Sequence, residues 1–381
     1  MRCSFLRSEL FLLLLAGLLC TAAAAHAGLD VPPAASAGLE KLYAGDPGAA
    51  IEEFRAMQDA QPDHPLGYVL EGEARWWKLY CSSAEFKYGM TDGWRRSKSA
   101  ATLDEDRAYL DLAQKGVALA EARLRRGESA EMHFYSGMGE ALAARLYGLR
   151  WEKGPAARAG VRAREHLLRA LALDPALADA ELGLGLYNYY VDALSGIAKL
   201  LRFFMGIPGG SKKDGFKQLE RAMTQGTLAR AEARFYLAKN LRNYDRDYAR
   251  ALTVLAPLTE HYPANPFFAL LRGDLNAKLA RNEGAALWYR KAAALPLRDA
   301  ACHQRIQELA AAGLAALGPQ FAPPTPPTDT PHPPRELIAG NQPHPLTELG
   351  HGTRITTHAR ATAPVTLTEM LLDAINFGSV R

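Results

Sequence analysis

Between about Ala34 and Leu317 apolar residues recur at three- and four-residue spacing, in segments of only 11 to 18 residues cut off by Gly, Pro or Asp-Pro breaks. That period belongs to helices with one apolar face, and no stretch alternates as a strand does. Short helices are marginal alone and must cover their apolar faces against one another. The residues between the breaks are mostly Ala, Leu, Arg and Glu, which cost least in a helix. A string of short helix pairs is therefore expected, and the natural question is whether the pairs repeat.

They do. Gly45-Asp46-Pro47-Gly48-Ala49-Ala50-Ile51-Glu52-Glu53-Phe54, then Met57 and Pro62, form one unit's second helix. Ala50 falls where the two helices touch, Phe54 fills the gap a turn later, Pro62 closes the unit, and Gly38 is the small residue of the first helix. A second unit ends at Ala163, Leu167, Ala170 and Asp174-Pro175, and a third opens with Leu184-Gly185. A fourth closes with Ala251, Leu255, Leu258 and Pro263, and a fifth carries Gly273, Ala285, Tyr289, Ala292 and Pro296. On these residues the chain resembles the tetratricopeptide repeat family, clearly over about 38–62 and 158–296. It departs from the family in lacking the first-helix tryptophan. The fourth unit fits only with a one-residue shift, and residues 66–150 follow no repeat consensus. The resemblance implies an all-α, tetratricopeptide-like helical-repeat superhelix, an α-solenoid over 28–317, in which stacking supplies the core.

The segment from Asp192 to Gly215 interrupts the register. With Gly183 to Gly215 it is similar to the Gly- and Pro-broken insertion of the tetratricopeptide repeat protein 39 group and its bacterial relatives, thought of as interaction or membrane-associated proteins. Its apolar residues Ile197, Leu200, Leu201, Phe203, Phe204, Met205 and Ile207 are flanked by Lys199, Arg202, Lys212 and Lys213. Burial under the repeats, a lid over a groove and contact with a membrane interface all stay open.

The two ends differ from this middle. Residues 1–27 have a positive start at Arg2 and Arg7, an apolar run from Leu10 to Leu19, and an Ala25-His26-Ala27 exit before Gly28. This is the pattern of a secretory signal, so a periplasmic or extracellular protein is expected. Residues 319–334 hold eight prolines, which exclude regular helix. The 318–381 tail is expected to be disordered, save for a short helix at 366–377 with Thr366 and Glu369 as a capping box.

Loss of the signal takes the formal charge from +4 to +3, too weak to point to nucleic acid. Only Cys81 and Cys302 then remain of the four cysteines, and their separation in an elongated fold points to two separately buried thiols. Catalysis needs a nucleophile, base and orienter, or a metal set. His64, His133, His166, His261 and His303 stand singly, with no metal-ligand spacing and no phosphate loop following a strand. No enzyme activity, cofactor or metal is expected. Arg75 to Tyr80, with Trp76 and Trp77, suits helix packing better than a binding cage.

A binding scaffold is the expected function, with a protein or peptide partner in the concave face of the first helices. The inward positions are Leu182, Leu186, Tyr189 and Tyr190 in the third unit and Tyr236, Asn240, Asn243 and Tyr244 in the fourth. The fifth offers Leu270, Asp274 and Lys278. Asn both donates and accepts towards a peptide backbone, and Tyr gives rigid apolar contact with a polar tip. The alternative is a membrane-surface protein using the 195–213 insert.

Overall fold

A computed structural model describes residues 29–82, 103–150, 152–194, 199, 202–203 and 206–322. The expected signal (1–27) and positions 323–381, with the expected helix at 366–377, lie outside the described residues. Among the described residues there are thirteen α-helices and no strand. In order they are α1 (Pro33–Tyr43), α2 (Pro47–Ala60), α3 (Pro65–Ser82), α4 (Leu103–Leu124), α5 (Ala130–Leu149), α6 (Lys153–Leu173) and α7 (Ala180–Asp192). Then follow α8 (Lys212–Gln225), α9 (Arg230–Asn240), a π-helix (Leu241–Asp245), α10 (Tyr248–His261), α11 (Pro266–Lys278), α12 (Asn282–Ala294) and α13 (Ala300–Leu317). None is long and apolar enough to cross a membrane.

The breaks in the sequence become helix starts. Asp46 accepts the Ala49 amide at 3.0 Å ahead of Pro47, and Asn265 accepts those of Phe267 and Phe268 ahead of Pro266. Each is an N-cap followed by a proline whose missing N–H costs the first turn nothing. Helices pair in sequence: α1 with α2, α3 with α4, and so on to α11 with α12, after which α13 packs on the last pair. The stretch at 66–150 without a consensus thus supplies one further pair and α5.

Close helix approach rests on the small residues of the repeat. A Cβ on Gly38 would lie 2.3 Å from the Phe54 ring, which fills the space its absence leaves. Gly185 and Gly215 face each other across α7 and α8, where a Cβ on Gly215 would lie 2.7 Å from the Gly185 carbonyl oxygen. The fourth unit's one-residue shift has a structural source. Ala238 and Ala251 are both fully buried and one residue further apart in sequence than Gly38 and Ala50. The π-helix between them takes up the extra residue, as a single wide turn does.

The chain does not stay extended as stacked pairs do. The α3 helix packs on its neighbours and on α13. Trp77 of α3 meets Phe235 of α9 and Phe267 and Phe268 of α11, with ring centroids 4.8 to 6.3 Å apart. Tyr43 packs edge-on against the same tryptophan, and the Asn265 side chain donates to the Tyr43 carbonyl at 2.8 Å. The first helices thereby meet the last. Two sequence expectations are corrected here. Cys81 and Cys302 are not separate thiols but a disulfide, their Cα atoms 5.3 Å apart, because α3 and α13 converge. His133 and His166 are not isolated either, since α5 and α6 bring them into contact.

Candidate functional site

Four elements meet at the expected groove: α7, α9, the π-helix and α11. Seven of its eleven residues are buried, namely Leu182, Leu186, Tyr189, Tyr236, Asn240, Leu270 and Asp274. Tyr190, Asn243 and Lys278 are partly exposed, and Tyr244 is 42 % exposed. Over Tyr236 the cover comes from α3. Trp76 Nε1 donates to the Tyr236 hydroxyl at 2.9 Å, and Trp76 and Tyr80 stack beside it. What faces solvent is a rim at the C-terminal ends of α7 and α9 instead of an open trough.

The rim is held from beneath. The π-helix places Arg242 so that its guanidinium forks onto Asp274 at 2.6 and 3.0 Å, with the Asp274 side chain fully buried. Such a two-pronged pair fixes direction as well as charge. Arg242 also donates to Asn243 Oδ1 at 2.9 Å, orienting that amide. Asp245 accepts from the Tyr189 hydroxyl and pairs with Lys212, whose ammonium lies 5.3 Å from the Tyr189 ring centroid. Burial first, then Asp245, pushes the Tyr189 phenol far above its ordinary range, so it serves as a donor.

Tyr190 donates to Asn240 Oδ1 at 3.1 Å, while Asn240 Nδ2, fully buried, has no partner. The rings of Tyr189, Tyr190 and Tyr244 form a triangle with centroids 5.9 to 6.2 Å apart. Rigid rings with polar tips suit recognition of a peptide, since little side-chain freedom is lost on contact.

The insert is rooted beside this rim. Asp192, the last residue of α7, accepts from Lys199 Nζ at 2.7 Å and from the Lys212 amide at 2.8 Å, clipping both ends of the insert to one carboxylate. The Lys199 bond, then the Lys212 amide, hold its carboxyl below the usual range. Tyr187 donates to the Pro208 carbonyl at 2.9 Å. Phe203 is 74 % exposed and Ile207 partly buried, so full burial does not hold for Phe203. Leu200, Leu201, Phe204 and Met205 lie outside the described residues.

A buried charge cluster escaped the sequence reading. Arg145 of α5 reaches Glu73 of α3 at 2.7 Å and Glu232 of α9 at 2.6 Å. Its guanidinium also lies 5.9 and 5.4 Å from the Trp76 and Tyr236 ring centroids. Burial, with help from Glu73 and against Arg145, holds Glu232 well above the ordinary carboxylate range. One cation between two carboxylates balances best when the pair keeps one proton. A cavity of about 40 Å³ adjoins Glu73, Arg145, Glu232 and Tyr43, whose buried hydroxyl has no partner. That is about the space of one water molecule. The signal for this cluster was present: Glu73 is a carboxylate in the run of buried residues from Val69 to Ala74 on α3.

Among the described residues no three or more His, Cys, Asp or Glu side chains are grouped to hold a metal ion. No family model matches the chain, and no curated protein matches it.

Proposed function

We propose that the chain is an exported tetratricopeptide-type scaffold that binds a protein segment and does not transform it. The contact surface is the rim of Tyr190, Asn243, Tyr244 and Lys278, narrower than the full concave face. One observation carries this reading. Tyr244 presents an exposed aromatic ring on a π-helix that the buried Arg242–Asp274 pair holds in place. Single-turn π-helices collect at functional sites because they re-aim side chains at a cost in regularity. The Cys81–Cys302 disulfide supports export, since such bonds persist in oxidising compartments.

The test is site-directed photocrosslinking in the native compartment, with the reactive group at position 244 and, as control, at exposed Leu287 of α12. A discrete adduct from 244 alone is expected, and Tyr190→Ala should weaken it. Equal labelling from both positions, or none from 244, sinks the reading. Exposed Phe203 between Lys199 and Lys212 favours a second reading, contact with an anionic lipid surface. Flotation with phosphatidylglycerol vesicles that is lost in Phe203→Ala, with no adduct from 244, would decide for it.

A further inference from the structure

Away from the rim, α5 and α6 set two imidazoles against each other. His133 Nδ1 and His166 Nδ1 are 3.0 Å apart, with ring centroids at 5.2 Å and planes tilted by 41°. The outward nitrogens are engaged too. His133 Nε2 lies 3.1 Å from Glu128 Oε2, and His166 Nε2 lies 3.3 Å from the hydroxyl of Ser136, which is fully buried. A carboxylate accepts only, so neutral His133 carries its proton on Nε2 and turns the Nδ1 lone pair inward. His166 turns its own Nδ1 lone pair inward whenever Ser136 acts as acceptor. In that tautomer two lone pairs face each other across 3.0 Å, and a cation between them would satisfy both.

We propose that this pair is a site for a divalent transition metal ion of the zinc class, bound by the two Nδ1 atoms and completed by water. The arrangement has the form of metal-binding histidines, whose distal N–H is held by a carboxylate or hydroxyl that fixes tautomer and ring orientation. At metal–nitrogen distances of 2.0–2.1 Å, tetrahedral coordination places two nitrogens about 3.3 Å apart, so the rings need to part by only a few tenths of an ångström. Imidazole donors favour zinc, copper and nickel over magnesium or calcium. Glu121, Glu140 and Glu165 act on His166 in the sense that favours positive charge nearby. His133 keeps partial exposure, which gives an ion a way in.

The test is titration of the mature full-length chain with zinc sulfate against a chromogenic chelator, with ¹⁵N spectra of the imidazoles. One site is expected to weaken at least tenfold in His133→Gln and in His166→Gln, and more mildly in Glu128→Gln. Zinc should shift the Nδ1 resonances of both rings, and affinity should fall on acidification as protons compete. Histidines elsewhere in the chain are controlled by these same variants. Unchanged affinity in the double variant, or zinc shifts confined to other histidines, would overturn the proposal and leave a plain hydrogen bond between two neutral rings. Should His166→Gln fail to fold by circular dichroism, His133→Gln decides alone.

Discussion

The arc from α4 to α8 and the seam where α3 meets α9, α11 and α13 are built from the same kind of helix pair but held together differently. Along the arc each helix packs chiefly on its sequence neighbours or the next first helix, with Arg145 of α5 reaching further to α9. Leu167 of α6 packs into the space left by Gly137 of α5 and Gly183 of α7. Stacking of that kind is nearly one-dimensional, its stability a sum of local terms. At the seam, aromatic rings from helices some 160 to 190 residues apart in sequence interlock, and a disulfide spans 221. Long-range contact of that sort couples the ends, so the chain should unfold as one unit where an open stack frays from its termini. Closure also bears on the candidate site, because the helix that closes the seam covers Tyr236.

The largest effect on this contrast should come from Trp77→Ala. Removing a buried indole from Phe235, Phe267 and Phe268 costs about 4 kcal/mol by the usual range for large-to-small core changes. Urea denaturation should then split into two transitions, and a single transition with a preserved slope would mean that the arc alone sets cooperativity. Replacing Cys81 and Cys302 together by Ser comes next, at about 3 kcal/mol, the middle of the usual range for a crosslink and below the chain-entropy limit for so long a loop. Reductant should lower the melting temperature of the wild type and leave that variant unmoved.

Glu232 gives a pH dependence of defined sign. Its folded pKa is raised by burial, so the folded state holds the proton more tightly than the unfolded chain. Stability from this group is complete below the ordinary carboxylate range and falls as pH rises through and above it, by at most about 1.4 kcal/mol per pH unit. Glu232→Gln should flatten that part of the curve in melts across a pH series, and an unchanged slope would place the proton elsewhere. Smallest of all is Arg298→Ala, which removes an ion pair to Asp46 across the seam. The arginine side chain is mostly exposed, so less than about 1 kcal/mol is expected. A larger loss would show that ion pairs, and not rings and the disulfide, hold the seam.

Several local features were legible in advance because they are local. Gly38 with Phe54, the Asp46-Pro47 start and Gly185 at a tight crossing each depend on residues close in the chain or on backbone preference. Even the one-residue slip of the fourth unit was visible, although its cause, a π-turn, was not. The site was only half legible. Tyr189, Tyr190 and Tyr244 do cluster, and Asn240 does meet Tyr190. The covering of Tyr236 could not be foreseen, because it comes from Trp76 in a part of the sequence that carries no repeat consensus.

By itself, then, the sequence determined the helical class, the pairing of neighbours and the places where helices begin, for periodicity, caps and small residues act over a few positions. Only the tertiary structure decided that α3 and α13 converge, that two cysteines and two histidines find each other, and that an expected groove is filled down to a rim. Those outcomes depend on the summed angles of many helix crossings, to which each pair adds a small rotation that no single motif encodes.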